Sequence, residues 1–154
     1  MTGKRIVLSL ALAADLQILS AIIRALDLPV TWNRGVALSA FGASATTTAL
    51  GLAGLAGITA LCRQSRNRFT PIGLILLWAG TVSNAVDRLR FGAVMDYLPL
   101  PLPLTLPAPL PSLPTTVHLN GADLALIAGG LLILLGRRAP KRRSRGQGPP
   151  RNIS

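Results

Sequence analysis

Glutamate is absent from this 154-residue chain, so its negative charge depends on five aspartates, which face sixteen lysines and arginines. The chain also has one cysteine, Cys62, and one histidine, His118. A single thiol excludes an intramolecular disulfide, and a histidine without a second one at ligand spacing disfavours a zinc site. We therefore expect no metal ion and no cofactor, and any acid–base chemistry falls to the aspartates.

Hydrophobic residues make up half of the sequence, and four apolar stretches are long enough to cross a bilayer. A helix of about 18–20 residues spans a hydrocarbon core of roughly 30 Å. The four stretches cover residues 6–23, 43–61, 69–86 and 117–135. They predict an all-α membrane protein with four transmembrane helices in one domain, residues 1–136, followed by a basic, disordered tail over residues 137–154.

The positive charges are unevenly distributed around these four stretches. Twelve of the sixteen lie before the first, between the second and third, or after the fourth. The positive-inside rule then places both termini in the cytoplasm and the other two connections on the outer side. Because a basic tail beside a membrane attracts anionic lipid, we expect the net charge of +11 to serve binding to membrane lipids and not to nucleic acid.

The two outer connections differ in composition. In the first, residues 28–32 form a short β-like stretch that can fold into a small sheet or hairpin at the membrane surface. In the second, seven prolines between residues 98 and 114 exclude a helix and a central strand. We expect this Leu/Pro-rich loop to lie as an extended, polyproline-like ribbon on the outer leaflet.

Three aspartates lie near the outer ends of the predicted membrane helices. Asn84-x-x-Asp87 ends the third stretch and Asn120-x-x-Asp123 opens the fourth, so each asparagine shares a helical face with its aspartate. Asn120 is placed as a helix N-cap, and Asp123 falls in the first helical turn. Asp96 follows nine residues after Asp87 and can fold back to the same level, so the three carboxylates can converge in one pocket.

Ionising two carboxyl groups held close together costs free energy, because the two negative charges repel each other. Such a pair therefore holds one proton. The ionised partner can take a proton from water while the protonated partner polarises a carbonyl, which permits peptide hydrolysis without a metal ion or a covalent intermediate. The residues alone do not decide whether Asp87 or Asp96 is the partner of Asp123. They also leave open a structural pairing with Arg88, and a proton path through a non-enzymatic four-span transporter or assembly factor.

Three motifs, in this order on a four-span chain, resemble those of lipoprotein signal peptidase, the signal peptidase II family. They are Asn33-Arg34-Gly35-Val36-Ala37, then Ser83-Asn84-Ala85-Val86-Asp87-Arg88 with Gly92-Ala93-Val94-Met95-Asp96-Tyr97, and last Leu119-Asn120-Gly121-Ala122-Asp123. Asp15 matches an aspartate in the family's first helix. The resemblance extends over residues 15–135.

The resemblance implies a bacterial aspartyl peptidase that removes signal peptides from diacylglyceryl-modified prolipoproteins, cutting before the lipidated cysteine. It assigns the catalytic pair to Asp96 and Asp123. The supporting and substrate-binding shell falls on eight residues: Asp15, Asn33, Gly35, Asn84, Asp87, Arg88, Asn120 and Ala122. We expect a monomeric, multi-pass protein of the bacterial inner (cytoplasmic) membrane, with its active site at the outer face.

Four positions depart from the family pattern. Leu16 and Leu19 stand where a glutamine and a lysine follow the first-helix aspartate, Ser83 replaces a glycine, and Leu38 replaces an aromatic residue. These changes leave both catalytic carboxylates in place but alter the side that would face a substrate. They keep a further interpretation open, that of a degenerate family member that has lost substrate docking.

Overall fold

Four α-helices lie where the four apolar stretches predicted them. The computed structural model describes residues 1–36, 41–42, 45–63, 65, 67–101 and 116–138. The helices are α1 (Gly3–Ala25), α2 (Ala45–Leu61), α3 (Phe69–Phe91) and α4 (Gly121–Arg138). The chain is therefore mainly helical, as expected from its composition.

The helices differ in length. Among the described residues, α1 and α3 are the two helices that are long and apolar enough to cross a membrane. Each has 23 residues, which corresponds to about 35 Å at 1.5 Å per residue. Helices α2 and α4 have 17 and 18 residues, so length and composition identify two spanning helices where the sequence predicted four.

Six short strands pair in three two-stranded antiparallel sheets. The pairs are β1 (Thr31–Asn33) with β4 (Val94–Asp96), β2 (Gly35–Val36) with β3 (Phe41–Gly42), and β5 (Leu98–Pro101) with β6 (Thr116–Leu119). The β-like stretch predicted at residues 28–32 overlaps β1 only at its end. Its partner is β4, on the far side of α2 and α3 in the chain, so the predicted small sheet forms by a long-range pairing.

The Leu/Pro-rich loop, predicted as an extended ribbon, begins as the extended strand Leu98–Pro101, which pairs with β6. A two-stranded sheet needs the N–H groups of alternate residues only, and this strand has proline at every second position, which an edge strand tolerates. The rest of the predicted ribbon, residues 102–114, lies outside the described residues, as do Ala37, Leu38 and residues 139–154 of the predicted tail.

Two predicted helix boundaries are wrong. The third helix continues beyond residue 86 to Phe91, where Gly92 adopts a left-handed φ of 68° and its N–H bonds to the Arg88 carbonyl. Glycine accepts this conformation without steric penalty, so the helix ends there. The fourth helix begins at Gly121 and not at residue 117, because residues 117–119 belong to β6 and Asn120 caps the helix.

Helices α3 and α4 pack backbone against backbone. A Cβ atom on Gly73 would lie 2.7 Å from the Gly129 carbonyl oxygen, and one on Gly80 would lie 2.5 Å from the Ala122 carbonyl oxygen. Only glycine permits such an approach, which is typical of packed membrane helices. The contact places the C-terminal half of α3, which carries Asn84, beside the first turn of α4.

The other two helices are attached to α3 by polar side chains. The Trp78 indole N–H of α3 donates to the Thr59 hydroxyl of α2 at 2.9 Å. The Gln17 amide of α1 donates to the Ser83 carbonyl and hydroxyl oxygens, each at 3.0 Å. Cys62 at the end of α2 is buried with Leu74 and Ile133. Helix α3 is therefore the common neighbour of the other three.

We expect Gly80→Ala to separate α3 from α4. The added methyl group would meet the Ala122 carbonyl oxygen at 2.5 Å and Leu126 Cγ at 2.9 Å, and overpacking of this kind costs about 1–3 kcal/mol. Thermal unfolding of the detergent-solubilised protein should show a lower midpoint. Gly54→Ala in α2 is the matched control, since its Cβ would meet nothing within 4 Å. Equal midpoints for the two variants would contradict the proposed close packing.

Candidate active site

The β1–β4 pair holds Asn33 and Asp96 side by side. Thr31 is the cross-strand partner of Asp96, and Asn33 follows two residues later on the same face. The Asn33 amide N–H donates to Asp96 Oδ2 at 3.0 Å. All three residues of β4 are buried, and Asp96 is only 1% exposed, so its carboxyl group depends on protein donors.

The start of α4 is a capping box built from Asn120 and Asp123. The Asp123 backbone N–H donates to Asn120 Oδ1 at 2.9 Å, and the Asn120 backbone N–H donates to Asp123 Oδ2 at 3.2 Å. These reciprocal bonds satisfy backbone groups that a helix start leaves without partners. The prediction of Asn120 as N-cap and of Asp123 in the first turn is confirmed.

Two asparagine amides connect Asp96 with Asp123. Asn120 Nδ2 donates to Asp96 Oδ1 at 3.0 Å and to Asn84 Oδ1 at 3.2 Å. Asn84 Nδ2 donates in turn to Asp123 Oδ1 at 2.9 Å. Residues from β4, α3 and α4 thus form one buried network with a carboxyl group at each end, and Asn120 is bound to both carboxyl groups.

Asp87 occupies a different position. It is 2% exposed, and its Oδ1 accepts the Gln17 amide at 2.9 Å, so it lies at the contact of α1 with α3. Its i+1 neighbour Arg88 is half-buried, with Nη1 3.5 Å from the Asn84 carbonyl oxygen. The Arg88 guanidinium is attracted by Asp123, Asp96 and Asp87, so its one positive charge interacts with all three carboxyl groups.

Gln17 is a polar contact that sequence reasoning missed. The sequence carried a signal, because Ser9, Ala13 and Ser20 recur at helical spacing. In the structure these three residues are buried and mark the side of α1 that packs inward. Gln17 falls on this side. Asp15 does not: it is exposed on α1, and no hydrogen bond of its carboxylate reaches the network within the part of the chain that the structure describes. The structure therefore separates Asp15 from the other candidates.

Two of the remaining candidates contribute through their backbone. Ala122 is buried, and its carbonyl oxygen is the group that Gly80 approaches. Gly35 lies in β2, where it pairs with Gly42. Within the described ranges, no three His, Cys, Asp or Glu side chains are grouped so that they could hold a metal ion.

Burial raises the pKa of Asp96 from 3.8 to about 6. The negative charge of Asp123 raises this pKa as well, while the hydrogen bonds from Asn33 and Asn120 and the charge of His118 lower it. Burial outweighs the two amide donors because it removes water from both carboxyl oxygens. Asp96 therefore retains its proton to a higher pH than an ordinary aspartate does.

An apolar cavity of about 490 Å³ opens beside the network. It is lined on one side by Ile23, Leu28, Pro29, Val30 and Thr31, and on the other by Tyr97, Leu98, Pro99 and His118. Thr31 connects it to the carboxyl group, since Thr31 and Asp96 are cross-strand partners on one face. A mainly apolar group in this cavity would contact Thr31 and Tyr97, which are the cross-strand partner and the chain neighbour of Asp96.

The fold is shared with bacterial membrane enzymes. One solved bacterial membrane enzyme, determined by the in meso method at 2.3 Å, superposes with a TM-score of 0.68 at 18% identity, covering 96% of each chain. A second, at 1.9 Å, gives a TM-score of 0.65 at 19% identity and covers 90% of this chain and 94% of its own. This chain thus shares its fold with both solved structures.

Sequence similarity defines the family. The signal peptidase (SPase) II family pattern matches residues 3–137. A lipoprotein signal peptidase from Deinococcus radiodurans is 32% identical over 120 residues, which cover 77% of this chain and 62% of the relative. One from Methylobacterium sp. (strain 4-46) is 35% identical over 138 residues, covering 82% and 76%. The chain belongs to the signal peptidase II family, which confirms the resemblance inferred from the motifs.

The Asp96 environment predicts a pH-dependent stability difference. Folded Asp96 keeps its proton up to about pH 6, whereas the unfolded chain releases it near 3.8. The stability it contributes is therefore complete below about pH 4 and is lost as the pH rises through about 6. Relative to Asp96→Asn, the wild-type free energy of unfolding should fall over this interval by on the order of 1–3 kcal/mol.

Thermal unfolding at a series of pH values measures this difference. The amide in the variant turns one acceptor into a donor. Any constant cost of this change shifts the variant's curve by the same amount at every pH, so the pH dependence of the difference is unaffected. Asp27→Asn is the control, because Asp27 is exposed in the turn after α1 with φ 52°, which asparagine accepts. Parallel curves for wild type and Asp96→Asn would show that the pKa of Asp96 is not raised.

Gln17→Leu should destabilise the α1–α3 contact. The change removes the amide donor of the buried Asp87 carboxylate and of Ser83, and an unsatisfied buried acceptor costs about 1–3 kcal/mol, or more when charged. Unfolding in detergent, followed by circular dichroism, should show the loss. Ile18→Leu, on the exposed side of the same helix, should leave stability unchanged. A similar loss of stability in both variants would mean that the loss does not come from the hydrogen bonds of Gln17.

Proposed function

We propose that this chain is a membrane aspartyl endopeptidase that removes signal peptides from diacylglyceryl-modified bacterial prolipoproteins, cutting before the lipidated cysteine. The observation that carries the proposal is the pair of carboxyl groups, Asp96 and Asp123, joined through Asn120 and Asn84 in a chain of the signal peptidase II family. Its relatives bear the name lipoprotein signal peptidase.

The two carboxyl groups take complementary roles in this proposal. Asp96 holds the proton, which its raised pKa supports. Asp123 is the base: it lies in the first turn of α4, where the helix dipole favours a negative charge, and it accepts N–H groups from Asn84 and Asn120. One buried pair thus supplies an acid and a base at the same pH.

Hydrolysis follows from this assignment. Asp123 takes a proton from water as the water oxygen attacks the carbonyl carbon preceding the cysteine, while Asp96 protonates the carbonyl oxygen. The tetrahedral intermediate then collapses: its hydroxyl proton returns to Asp96, the C–N bond breaks, and the proton held by Asp123 passes to the leaving nitrogen. The proton distribution of the pair is restored, and the reaction needs no covalent intermediate.

The surrounding residues hold the pair in place. Asn33, Asn84 and Asn120 direct amide donors at the two carboxyl groups, and Arg88 balances their charge. Asp87 fixes the outer end of α3 against Gln17. Asp15 is exposed on α1 and makes no hydrogen bond to this network among the described residues, so the acid and base roles of the pair do not use it.

Four spanning helices, with both termini in the cytoplasm and the site at the outer face, complete the proposal. The distribution of positive charge supports this orientation, and the solved membrane enzymes of the same fold support a membrane-embedded bundle. The substrate's acyl chains would then approach from the outer leaflet, and the apolar cavity beside Asp96 is a site for an apolar substrate group. We propose that the chain acts as a monomer in contact with membrane lipids.

A gel-shift assay on a diacylglyceryl-modified prolipoprotein tests the reaction and the pair together. The wild type should convert the substrate, and Asp96→Asn and Asp123→Asn should each lose at least about a thousandfold in rate, because each removes one partner of the proton transfer. Asp27→Asn is the matched control for an aspartate outside the network, and Asp87→Asn tests the other candidate. Circular dichroism establishes that each variant is folded.

The outcomes separate the alternatives. Cleavage that survives in Asp96→Asn and fails in Asp87→Asn would assign the first catalytic carboxyl group to Asp87. A folded wild type that leaves lipidated substrate uncut would favour a degenerate family member or the four-span transporter. The transporter alternative makes Asp15 and Asp123 indispensable as carboxylates within helices, whereas cleavage by Asp15→Asn at the wild-type rate would exclude Asp15 from the site.

A further inference from the structure

Tyr97 contacts the chain on both sides of Asn120. It follows Asp96 directly, and its backbone N–H donates to the Leu119 carbonyl oxygen at 3.0 Å. Its side chain reaches the other side, where the Gly121 backbone N–H donates to Tyr97 Oη at 2.8 Å. Asn120, which binds both carboxyl groups, is thus held between two backbone contacts of a single tyrosine.

The Tyr97 hydroxyl adds to the capping of α4. The first N–H groups of a helix have no partner within it. Here the Asn120 side chain accepts the N–H of Asp123 and the Asn120 carbonyl accepts the N–H of Leu124. Tyr97 Oη accepts the N–H of Gly121. A phenolic oxygen from the strand that carries Asp96 therefore takes part in forming the helix that carries Asp123.

Gly121 leaves the space that the hydroxyl fills. A Cβ atom at this position would lie 2.9 Å from Tyr97 Oη and 3.0 Å from Leu16 Cδ2. Gly121 has no positive φ; among the described glycines, that conformation belongs to Gly92. The absence of a side chain at residue 121 thus serves the close approach of the hydroxyl and not an unusual backbone conformation.

We propose that Tyr97 is a positioning residue for the cleavage reaction. Its hydroxyl fixes the start of α4 relative to β4, so that the Asn120 amide stays within hydrogen-bond distance of Asp96 while the Asn120 backbone binds Asp123. The hydroxyl binds a helix amide and not the reacting atoms, so its effect passes through Asn120. The inference rests on the proposed function and adds a residue that the family motif does not assign a role.

A double-mutant cycle of Tyr97→Phe and Gly121→Ala tests the proposal in the cleavage assay. Tyr97→Phe removes one hydrogen bond and should lower kcat about threefold to tenfold, with KM little changed. Gly121→Ala alone should also lower kcat relative to the wild type, since the methyl group displaces the Tyr97 hydroxyl. It should cost less in the Tyr97→Phe background, where the oxygen is gone. Gly130→Ala in the same helix, with nothing within 4 Å, should act like the wild type.

Each variant is also examined by thermal unfolding, which separates positioning from a general loss of structure. Wild-type kcat in Tyr97→Phe, or additive effects on kcat in the cycle, would overturn the proposal. Coupling in the melting temperature without coupling in kcat would make Tyr97 a structural residue and overturn it as well. Failure of the wild type to cleave defeats the proposed function, and this inference with it, while the melting cycle still reports whether the hydroxyl holds α4.

Discussion

The contact between α3 and α4 is the constraint on which the rest of the structure depends. Both helices approach through glycine, at distances that leave no room for a methyl group, and this approach brings Asn84 to Asp123. Once these two side chains meet, the position of Asn120 follows from the capping box, and the position of Asp96 follows from the Asn120 amide. Close backbone packing along the helix pair therefore determines the polar geometry where α3 ends and α4 begins.

Burial and hydrogen bonding act against each other at Asp96, and burial prevails. A carboxyl group out of contact with water favours its protonated form unless enough donors compensate. Two amide donors stabilise the charge, yet the pKa still rises to about 6. Asparagine suits this role because its amide donates a hydrogen bond without adding a charge, so the network holds two carboxyl groups without fixing both as anions.

Much of the fold could be predicted from hydropathy, since apolar stretches of membrane length marked all four helices. The spacing of Asn120 and Asp123 predicted their capping geometry. The β1–β4 pairing could not be predicted, because Thr31 and Asp96 are joined by non-local contacts that leave no local pattern. The choice between Asp87 and Asp96 depended on family resemblance, as the Gln17 contact that occupies Asp87 lies on another helix. Asp15 was assigned to the shell by its motif match alone, and in the structure it lies on the exposed side of α1.

The sequence Asn120-Gly121 makes this site susceptible to deamidation. Asparagine before glycine is prone to deamidation through a cyclic imide, since a residue without a side chain leaves its backbone nitrogen free to attack the amide carbon. In the fold, that nitrogen is bound to Tyr97 Oη and the Asn120 amide is held at both its atoms. Folding thus protects the linkage. In an unfolded chain this protection is absent, and deamidation would convert Asn120 to aspartate or isoaspartate and remove the amide that donates to Asp96.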